Sequence, residues 1–167
     1  MEHELLAPAA LASGDLAHLE RAVALAQQAR DRGDHPFGAV LVTAEGAVVE
    51  ALNSVFSTHD PTAHAESNLV RAAAAQHVDA AAFAGSTLYT STEPCAMCSG
   101  AIYWAGIPRV VFALSEKALR DFVPEASSEP TLVLPSREVF ARGGRPIEVV
   151  GPVALPAATV VHEGFWA

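Results

Sequence analysis

Two short motifs that lie far apart in the sequence most constrain how this chain can fold. The first is His64-Ala65-Glu66, and the second is Pro94-Cys95-Ala96-Met97-Cys98. A catalytic zinc ion usually takes three protein ligands from histidine, cysteine or carboxylate and leaves a fourth position for water. His64, Cys95 and Cys98 supply such a set, because two cysteines one helical turn apart can direct both sulfurs to one point. The fold must therefore bring the two motifs together.

Glu66 is not needed as a ligand, and its position suits a different task. Two residues after the histidine, it can exchange protons with water that zinc activates. A C-x-x-C pair alone also occurs in redox helices and structural zinc sites. A structural site usually has a fourth protein ligand, however, and the chain has only two cysteines. The motifs therefore favour a catalytic zinc site over these alternatives, with Glu66 as the proton shuttle.

The length and the cysteine content restrict the class of protein. A chain of 167 residues predicts one domain, residues 1–167, with no room for a second core of ordinary size. Both cysteines lie in the motif, so none is left for a disulfide, which favours a reducing cytoplasm. The acidic N-terminus does not resemble a signal peptide, and no apolar run is long enough for a membrane span. We expect a soluble, cytoplasmic protein without a membrane partner.

The charge of the chain bears on its substrate. Ten Lys and Arg residues stand against nineteen Asp and Glu, which gives a net charge of −9. Proteins that grip tRNA or DNA neutralise phosphates with clustered basic residues. The arginines here are scattered along the chain and form no basic cluster. We therefore expect a small, uncharged substrate and no nucleic-acid partner.

Hydrophobic periodicity and turn residues predict a helix followed by a hairpin in the first third of the chain. Apolar residues recur at helical spacing from Asp15 until Gly33 ends the pattern. Two valine-rich runs, Gly38–Thr43 and Ala47–Leu52, read as a β-hairpin. The polar segment Ser54–Thr62 is predicted to be a loop.

The middle of the chain places both motifs at helix starts. Ala63–His77 is predicted to be a helix with His64 and Glu66 in its first turn. Thr87–Ser91 reads as a strand that leads through Pro94 into a second helix, Cys95–Ala105. The positive end of the helix dipole favours the cysteine thiolates that zinc requires. Arg109–Ala113 is predicted to be the next strand.

The ends of the chain are less regular. Residues 1–13 read as a loose N-terminal arm, residues 123–135 as a surface segment and residues 152–167 as a C-terminal tail. Short helices are expected at Ser115–Phe122 and Ser136–Ala141, and Ile147–Val150 is the expected last strand. This order of elements predicts an α/β fold in which a mixed sheet carries helices on both faces.

The motifs resemble those of the cytidine-deaminase-like superfamily of zinc-dependent deaminases. Residues 60–66 (Asp-Pro-Thr-Ala-His-Ala-Glu) and 93–102 (Glu-Pro-Cys-Ala-Met-Cys-Ser-Gly-Ala-Ile) are similar to the two shared segments of bacterial guanine deaminases and tRNA adenosine deaminases. The resemblance implies a three-layer α/β/α sandwich around a central mixed five-stranded sheet. It also implies hydrolytic removal of an exocyclic amine from a heterocycle, with release of ammonia, and a homodimer.

Two further segments tilt the resemblance towards guanine deaminases. Pro36–Val40 is similar to their first strand, and Ala101–Ala105 is similar to their helix. Guanine is therefore the first expected substrate, with cytosine and isocytosine next. A nucleoside deaminase, a tRNA adenosine deaminase and a non-catalytic zinc-binding interaction domain are the alternatives.

The remaining site residues come from this resemblance and from side-chain chemistry. Asn53 matches the base-binding asparagine of the family, although an asparagine after a strand can equally mark a turn. Backbone groups of Ala65, Glu93 and Pro94 are expected to bind the substrate. Aromatic residues can stack on a flat ring or belong to the core; the candidates are Phe37, Trp104 and the tail pair Phe165 and Trp166.

Some features at the C-terminal end leave the substrate open. Guanine deaminases of this branch carry an acidic residue that contacts the purine, and Asp121, Glu125 or Glu129 could fill that position or lie in solvent. The tail is expected to close a site, either its own or that of a partner. His59 could line the mouth of the site or simply lie in a loop, and His162 is predicted to be structural or exposed.

Overall fold

A mixed five-stranded sheet forms the centre of the computed structural model, which describes residues 11–125, 127 and 132–166. The strands are β1 (Gly38–Val42), β2 (Val48–Leu52), β3 (Thr87–Thr92), β4 (Arg109–Leu114) and β5 (Glu148–Val150). Their order is β2-β1-β3-β4-β5. β1 pairs antiparallel with β2 and β3, whereas β3, β4 and β5 are parallel. The predicted mixed sheet is thus confirmed.

Helices cover both faces of this sheet. They are α1 (Asp15–Arg32), α2 (Val55–Thr58), α3 (Ala65–Ala75), α4 (Ala80–Ala84), α5 (Ala96–Ala105), α6 (Glu116–Leu119), α7 (Ser136–Ala141) and α8 (Pro156–Val160). Successive strand residues point to opposite faces, so the sheet has a core on each side. One core joins it to α3 and α5 and includes Leu41, Leu69, Leu88, Ile102 and Val110. The other joins it to α1 and includes Leu19, Val23, Val40, Tyr89 and Val111. The predicted α/β/α sandwich is confirmed.

The strand directions decide which edge of the sheet carries polar residues. β2 and β3 are both antiparallel to β1, so they run the same way and end at one edge. β4 is parallel to β3 and ends there too. The chain that leaves β2 leads to α3, and the chain that leaves β3 leads to α5. The starts of these two helices therefore meet at the same edge.

Two short helices were not expected from the sequence. α2 lies inside the predicted loop Ser54–Thr62, where the buried Asp34 carboxylate accepts the backbone N–H groups of Phe56 and Ser57, each at 2.9 Å. α4 begins after Asp79, whose side chain accepts the N–H of Ala82 at 2.8 Å. In both places a carboxylate accepts the free backbone N–H groups at the start of the helix. Apolar periodicity does not reveal helices that are stabilised in this way.

The two ends of the chain lie partly outside the described residues. The described residues do not include residues 1–10 of the predicted N-terminal arm, residues 126 and 128–131 of the predicted surface segment, or residue 167. In the tail, α8 packs against the sheet through the buried Ala158. No helix of the described ranges is both long enough and apolar enough to cross a membrane.

Gly38 is required where β1 packs on α1. A Cβ atom at this position would lie 2.3 Å from the carbonyl oxygen of Ala22 and 2.6 Å from the backbone nitrogen of Ala26. Neither atom can move away without bending α1. Only glycine therefore lets the strand approach the helix this closely.

The close packing gives a prediction for stability. Gly38→Ala should lower the free energy of unfolding by about 1–3 kcal/mol, because overpacking against backbone cannot relax. Gly100→Ala is the matched control: no atom beyond its own helix backbone lies within 4 Å of its added Cβ. It should leave stability unchanged or raise it by about 0.5–1 kcal/mol. Urea denaturation measures both, and equal losses would contradict the steric explanation.

Candidate active site

The structure brings the three predicted ligands together at the shared sheet edge. His64 is the N-cap of α3 and Cys95 is the N-cap of α5, both with extended backbone, and Cys98 lies in the first turn of α5. Their ligand atoms all lie within 4.8 Å of one another, and His64 Nδ1 is 3.5 Å from Cys95 Sγ. Ligands of tetrahedral zinc at about 2.0–2.3 Å lie about 3.5 Å apart. The donor set therefore fits a zinc ion.

The charges of these groups favour metal binding. A hydrogen bond from the Cys98 thiol, together with the neighbouring His64, lowers the pKa of Cys95 despite its burial. The pKa of Cys98 is raised because its proton is held by Cys95 and because it is buried. The lowered pKa of Cys95 favours its thiolate, which is the form that binds metal. A bound dication would favour release of the second proton as well.

Glu66 is buried beside these ligands. Its side chain is 5% exposed and lies in the first turn of α3. The Thr90 hydroxyl donates to Glu66 Oε1 at 2.9 Å. Burial, followed by the negative Cys95, raises the pKa of Glu66. A carboxyl group whose pKa is raised accepts a proton more readily than an ordinary glutamate, and its position beside the ligands suits a proton shuttle.

A cavity of about 280 Å³ opens in front of Glu66. Its apolar and aromatic lining comes from Phe37, Pro61, Met97, Leu119, Val123, Leu132 and Trp166. The polar lining comes from His35, His64, Glu66, Thr92, Glu93, Cys95 and Glu116. Among the described residues, no lysine or arginine lines it. The cavity suits a flat, largely apolar ring and has no cation to balance a phosphate.

Asn53 is fully buried and does not itself line the cavity, but its backbone is bonded to Phe37, which does. Its backbone N–H donates to the carbonyl of Phe37 at 3.0 Å, and its Oδ1 accepts the N–H of Val55 at 3.1 Å. Within the described ranges, its Nδ2 is the buried side-chain atom left without a hydrogen-bond partner. Such a group usually has a partner in a ligand, an ion or ordered water. Asn53 thus combines a turn-forming oxygen with a free donor.

The other predicted contacts fall into two groups. Phe37, Glu93 and Trp166 line the cavity. Ala65 and Pro94 are buried and do not line it with their side chains. Ala65 is the first residue of α3, where backbone N–H groups have no acceptor within the helix. A backbone contact with the substrate, as predicted, is the role open to it.

Trp104 does not lie where it was predicted, and its placement is a correction. Its side chain is 83% exposed, packs edge-on against Tyr103 and does not line the cavity. The reason is helix geometry: Cys98 and Ile102 define the buried side of α5. Trp104 lies two residues beyond Ile102, about 200° further around the helix.

The C-terminal tail contributes one wall to the cavity of its own chain. Trp166 lines the cavity, and its indole Nε1–H donates to Nδ1 of His162 at 3.3 Å. The Arg30 guanidinium holds the tail by donating to the carbonyls of Val161 and Glu163 at 2.7 and 2.8 Å. Phe165 instead packs beside Arg30, with the guanidinium 5.9 Å from its ring centre.

His162 has a larger structural role than its sequence position suggested. It is 1% exposed, and its Nε2 lies 3.4 Å from the Thr92 hydroxyl, which faces the cavity. Burial, with a smaller effect of Arg30, lowers the pKa of His162 to about 4. The ring is therefore neutral and links the tail to the cavity wall. The signal available in the sequence was the spacing of His162 and Trp166, which are four residues apart.

The acidic residues near the cavity differ from those named in the sequence analysis. Asp121 and Glu125 are exposed and do not line the cavity, and Glu129 lies outside the described residues. Glu116, which was not predicted, is 6% exposed and lines the cavity. The sequence signal for Glu116 was its position directly after Ser115 and the end of β4. A helix that begins where a strand ends places its first residues at that edge of the sheet. His59 is exposed in the α2–α3 connection and does not line the cavity.

A buried glutamate beside a His-Cys-Cys cluster, on an α/β/α sandwich, defines the class of hydrolytic deaminases. Residues 12–114 match the family model described as the cytidine and deoxycytidylate deaminase zinc-binding region, and the chain belongs to this family. The protein is therefore a deaminase of the cytidine-deaminase-like type. The matched region ends at Leu114, so it contains Glu66 and all three ligands but not Glu116.

Individual relatives carry different substrate names. The chain is 42% identical to a probable cytosine deaminase of Schizosaccharomyces pombe over 156 residues, which cover 93% of this chain and 94% of that protein. It is 46% identical to guanine deaminase of Bacillus subtilis over 99 residues, 59% of this chain and 62% of that one. A solved structure from a study of tRNA:A34 deaminases has a TM-score of 0.69 and 27% identity, and the match covers 87% of this chain and 99% of that chain.

The ligand geometry predicts one zinc ion per chain. Cys98→Ala should reduce the zinc content of the purified protein at least tenfold and lower its melting temperature, because bound metal stabilises the folded state. Met97→Ala, which changes the exposed residue between the two cysteines, should keep its zinc. Elemental analysis measures the content. Full zinc occupancy in Cys98→Ala would contradict the assignment of this ligand.

Proposed function

We propose that the protein is a zinc-dependent hydrolytic deaminase of a free nucleobase or a related aminated heterocycle. One observation carries the proposal: the buried Glu66 carboxyl, fixed by Thr90, lies beside the His64, Cys95 and Cys98 cluster at a mainly apolar cavity. In the reaction a water oxygen forms a bond to the amino-bearing ring carbon. The carbon–nitrogen bond then breaks, and the amine leaves as ammonia.

The residues of the chain divide this work between them. His64 Nδ1 and the sulfurs of Cys95 and Cys98 would hold zinc, which when bound supplies a Lewis acid that activates water near neutral pH. The Thr90 hydroxyl fixes Glu66 Oε1, which leaves Oε2 to exchange protons. Glu66 takes a proton from the attacking water, passes it to a ring nitrogen and later protonates the leaving amine. The free Nδ2–H of Asn53 orients an acceptor on the substrate.

The cavity and the charge of the chain support a small substrate without phosphate. Three glutamates but neither lysine nor arginine appear among the described lining residues, so the cavity offers no basic side chain of the kind that binds phosphate. The net charge of −9 would also repel polynucleotides. Phe37, Leu119 and Trp166 offer apolar contacts to a heterocyclic ring. A free base satisfies all of these conditions.

Guanine and cytosine are the two leading substrates. The first strand at Pro36–Val40 and the α5 segment Ala101–Ala105 resemble guanine deaminases, which places guanine first on sequence motifs alone. The similarity to a probable cytosine deaminase instead spans 93% of the chain, and so includes the cavity walls at Glu116, Leu119 and Val123. Cavity-lining residues that come after the catalytic motifs in the sequence decide which ring fits. Because the similarity to the probable cytosine deaminase includes them, cytosine ranks beside guanine, with isocytosine next. A nucleoside such as cytidine or guanosine ranks below them.

Deamination of tRNA adenosine is the second candidate function. It is favoured by the match to a solved structure from a study of tRNA:A34 deaminases. The match covers 99% of the chain in that structure. The acidic net charge favours the first candidate instead, as does the lack of lysine and arginine among the described cavity residues. Inosine formation in an anticodon stem-loop, with binding that weakens steeply as salt rises, would support the tRNA function.

A homodimer and a cytoplasmic location remain predictions from the family resemblance and the cysteine content. Light scattering coupled to size exclusion measures the number of chains in solution. Because Trp166 lines the cavity of its own chain, a monomer would still carry this wall of the cavity.

The proposed role of Glu66 gives a direct prediction. Glu66→Gln should lower kcat for the best base by about 10²–10⁴-fold, because an amide cannot exchange the proton. Zinc content should stay unchanged, since Glu66 is not a ligand. Glu45→Gln, a charge removal in the exposed β1–β2 turn, is the control and should leave kcat unchanged. An ammonia-release assay measures both, and full activity of Glu66→Gln would contradict the mechanism.

The substrate class is tested by the same assay on a panel. Guanine, cytosine, isocytosine, adenine, guanosine and cytidine should separate into bases that release ammonia and nucleosides that release it poorly. Because the cavity lacks a cation among its described residues, cytidine monophosphate should release none. Failure of the zinc-loaded protein on every base would contradict the proposed function.

A further inference from the structure

A chain of two hydrogen bonds connects the C-terminal wall of the cavity to the end of β3. Trp166 Nε1 lies 3.3 Å from Nδ1 of His162, and Nε2 of the same imidazole lies 3.4 Å from the Thr92 hydroxyl. Trp166 and Thr92 line the cavity, whereas His162 is 1% exposed and does not. His162 thus joins two cavity-lining residues that are far apart in the sequence.

The donor in each of these bonds follows from the chemistry of the two groups. An indole nitrogen can only donate, so Nδ1 of His162 must accept the hydrogen bond from Trp166. An imidazole whose Nδ1 accepts is neutral and carries its proton on Nε2. Burial, with a smaller effect of Arg30, lowers the pKa of His162 to about 4, which agrees with a neutral ring. The Nε2–H of His162 therefore donates to the oxygen of the Thr92 hydroxyl.

The His162 ring is held from several sides. Trp166 lies nearly parallel to it, at an interplanar angle of 12°, and the ring centres of Phe37 and Phe122 are 5.4 and 6.0 Å away. The Arg30 guanidinium binds the backbone carbonyls of the residues on either side of His162. Turning the imidazole over would break both of its hydrogen bonds. The N–H that faces Thr92 is therefore kept in place.

The bond from His162 leaves the proton of the Thr92 hydroxyl for another acceptor. A hydroxyl group accepts through its oxygen and can donate its one proton at the same time. Within the described residues, the Thr92 side chain is hydrogen-bonded to His162 alone. Thr92 is 2% exposed and lines the cavity three residues before the predicted ligand Cys95. Its hydroxyl proton is thus available to an acceptor on a molecule bound in the cavity.

We propose that Thr92 is a substrate-binding residue, whose hydroxyl is oriented by His162 to donate a hydrogen bond to the ring carbonyl oxygen of the base. The proposal rests on the deaminase function proposed above. Cytosine and guanine both carry a carbonyl oxygen on the ring, so the two leading substrates share this acceptor. His162 acts through Thr92 and is a positioning residue.

The other polar groups of the cavity explain why such a donor is useful. The three glutamates accept hydrogen bonds when they are ionised, and His64 and Cys95 are predicted to hold zinc. These groups do not offer a donor to a carbonyl oxygen. A hydroxyl whose direction is already set also loses less rotational freedom when the substrate binds. The Thr92 hydroxyl therefore complements the free Nδ2–H of Asn53, because a carbonyl oxygen can accept two hydrogen bonds.

Substitutions at Thr92 test this contact in the zinc-loaded protein. Thr92→Val keeps the shape of the side chain and should lower kcat/KM for the preferred base about 5–50-fold, because the carbonyl oxygen loses a donor. Thr92→Ser retains the hydroxyl and should recover about a third or more of the wild-type value. Thr87→Val makes the same change at the opposite end of β3 and should keep the wild-type kcat/KM.

Analogues of the substrate separate the hydrogen bond from a general effect on the cavity. In 2-thiocytosine and 6-thioguanine a sulfur atom, which is a weak acceptor, replaces the ring carbonyl oxygen. Thr92→Val should therefore change kcat/KM for the thio analogue less than threefold, or its Ki where the analogue is not turned over. An equal loss on the base and on its thio analogue would overturn the contact with the carbonyl oxygen.

The orientation of the hydroxyl is tested at His162 by a measurement that does not depend on activity. Nitrogen NMR of the histidine rings at neutral pH should show His162 as the Nε2–H tautomer, with the signal assigned by its loss in His162→Phe. The Nδ1–H tautomer or an imidazolium would overturn the direction of the chain.

A double variant tests whether His162 acts through Thr92. His162→Phe should lower kcat/KM about 3–10-fold, and it should add less than twofold when Thr92 is already valine, because the two side chains act as one unit. Fully additive losses would overturn the positioning role of His162. Zinc content and melting temperature, measured for each variant, should stay at the wild-type values because neither residue is a predicted ligand.

These outcomes distinguish the proposal from the general one. A Thr92→Val protein with the wild-type kcat/KM would overturn the role of Thr92 and leave the deaminase function standing. A wild type that releases no ammonia from any base would overturn both. Loss of activity in Thr92→Val, with recovery in Thr92→Ser and the Nε2–H tautomer at His162, supports the proposal.

Discussion

The pairing of β1 between β2 and β3 is the constraint on which the candidate site depends. Because β1 is antiparallel to both neighbours, β2 and β3 run in the same direction and end at one edge. The chain leaving β2 delivers Asn53 and then His64, and the chain leaving β3 delivers Cys95 and Cys98. Ligand sites of open α/β sheets form at such strand ends for this reason. The close packing at Gly38 maintains the pairing, since β1 is pressed against α1 there.

The electrostatics of the site explain why a cation belongs in it. The residues Glu66 and Glu116 are buried and their pKa values are raised, whereas Cys98 and His64 lower the pKa of Cys95. No lysine or arginine lines the cavity within the described ranges. Negative groups in a low-dielectric site repel one another strongly. A divalent metal between His64 and the two sulfurs would offset this charge, in addition to its part in the proposed reaction.

The candidate catalytic residues all lie in the family-matched region, whereas the cavity walls come from that region and from the residues that follow it. The family match ends at Leu114 and includes the ligands, Glu66 and Asn53. Several cavity walls follow it: Glu116, Leu119, Val123, Leu132 and Trp166. They are joined to the catalytic half by Glu93, which binds the starts of α6 and α7, and by His162, which contacts both Thr92 and Trp166. Relatives with similar catalytic motifs can thus act on different bases.

The sequence by itself determined the chemistry and most of the elements that carry it. His64, Glu66, Cys95 and Cys98 were readable because metal ligation and proton transfer need particular side chains at short, fixed spacings. The strands and the longer helices were readable because apolar periodicity reflects local geometry. Only the tertiary structure decided which walls enclose the cavity. It excluded Trp104, brought in Glu116 and His162, and placed Trp166 in the cavity of its own chain. These outcomes depend on helix rotation and on hydrogen bonds between residues distant in sequence, such as Glu93 with Ser136, for which no local pattern exists.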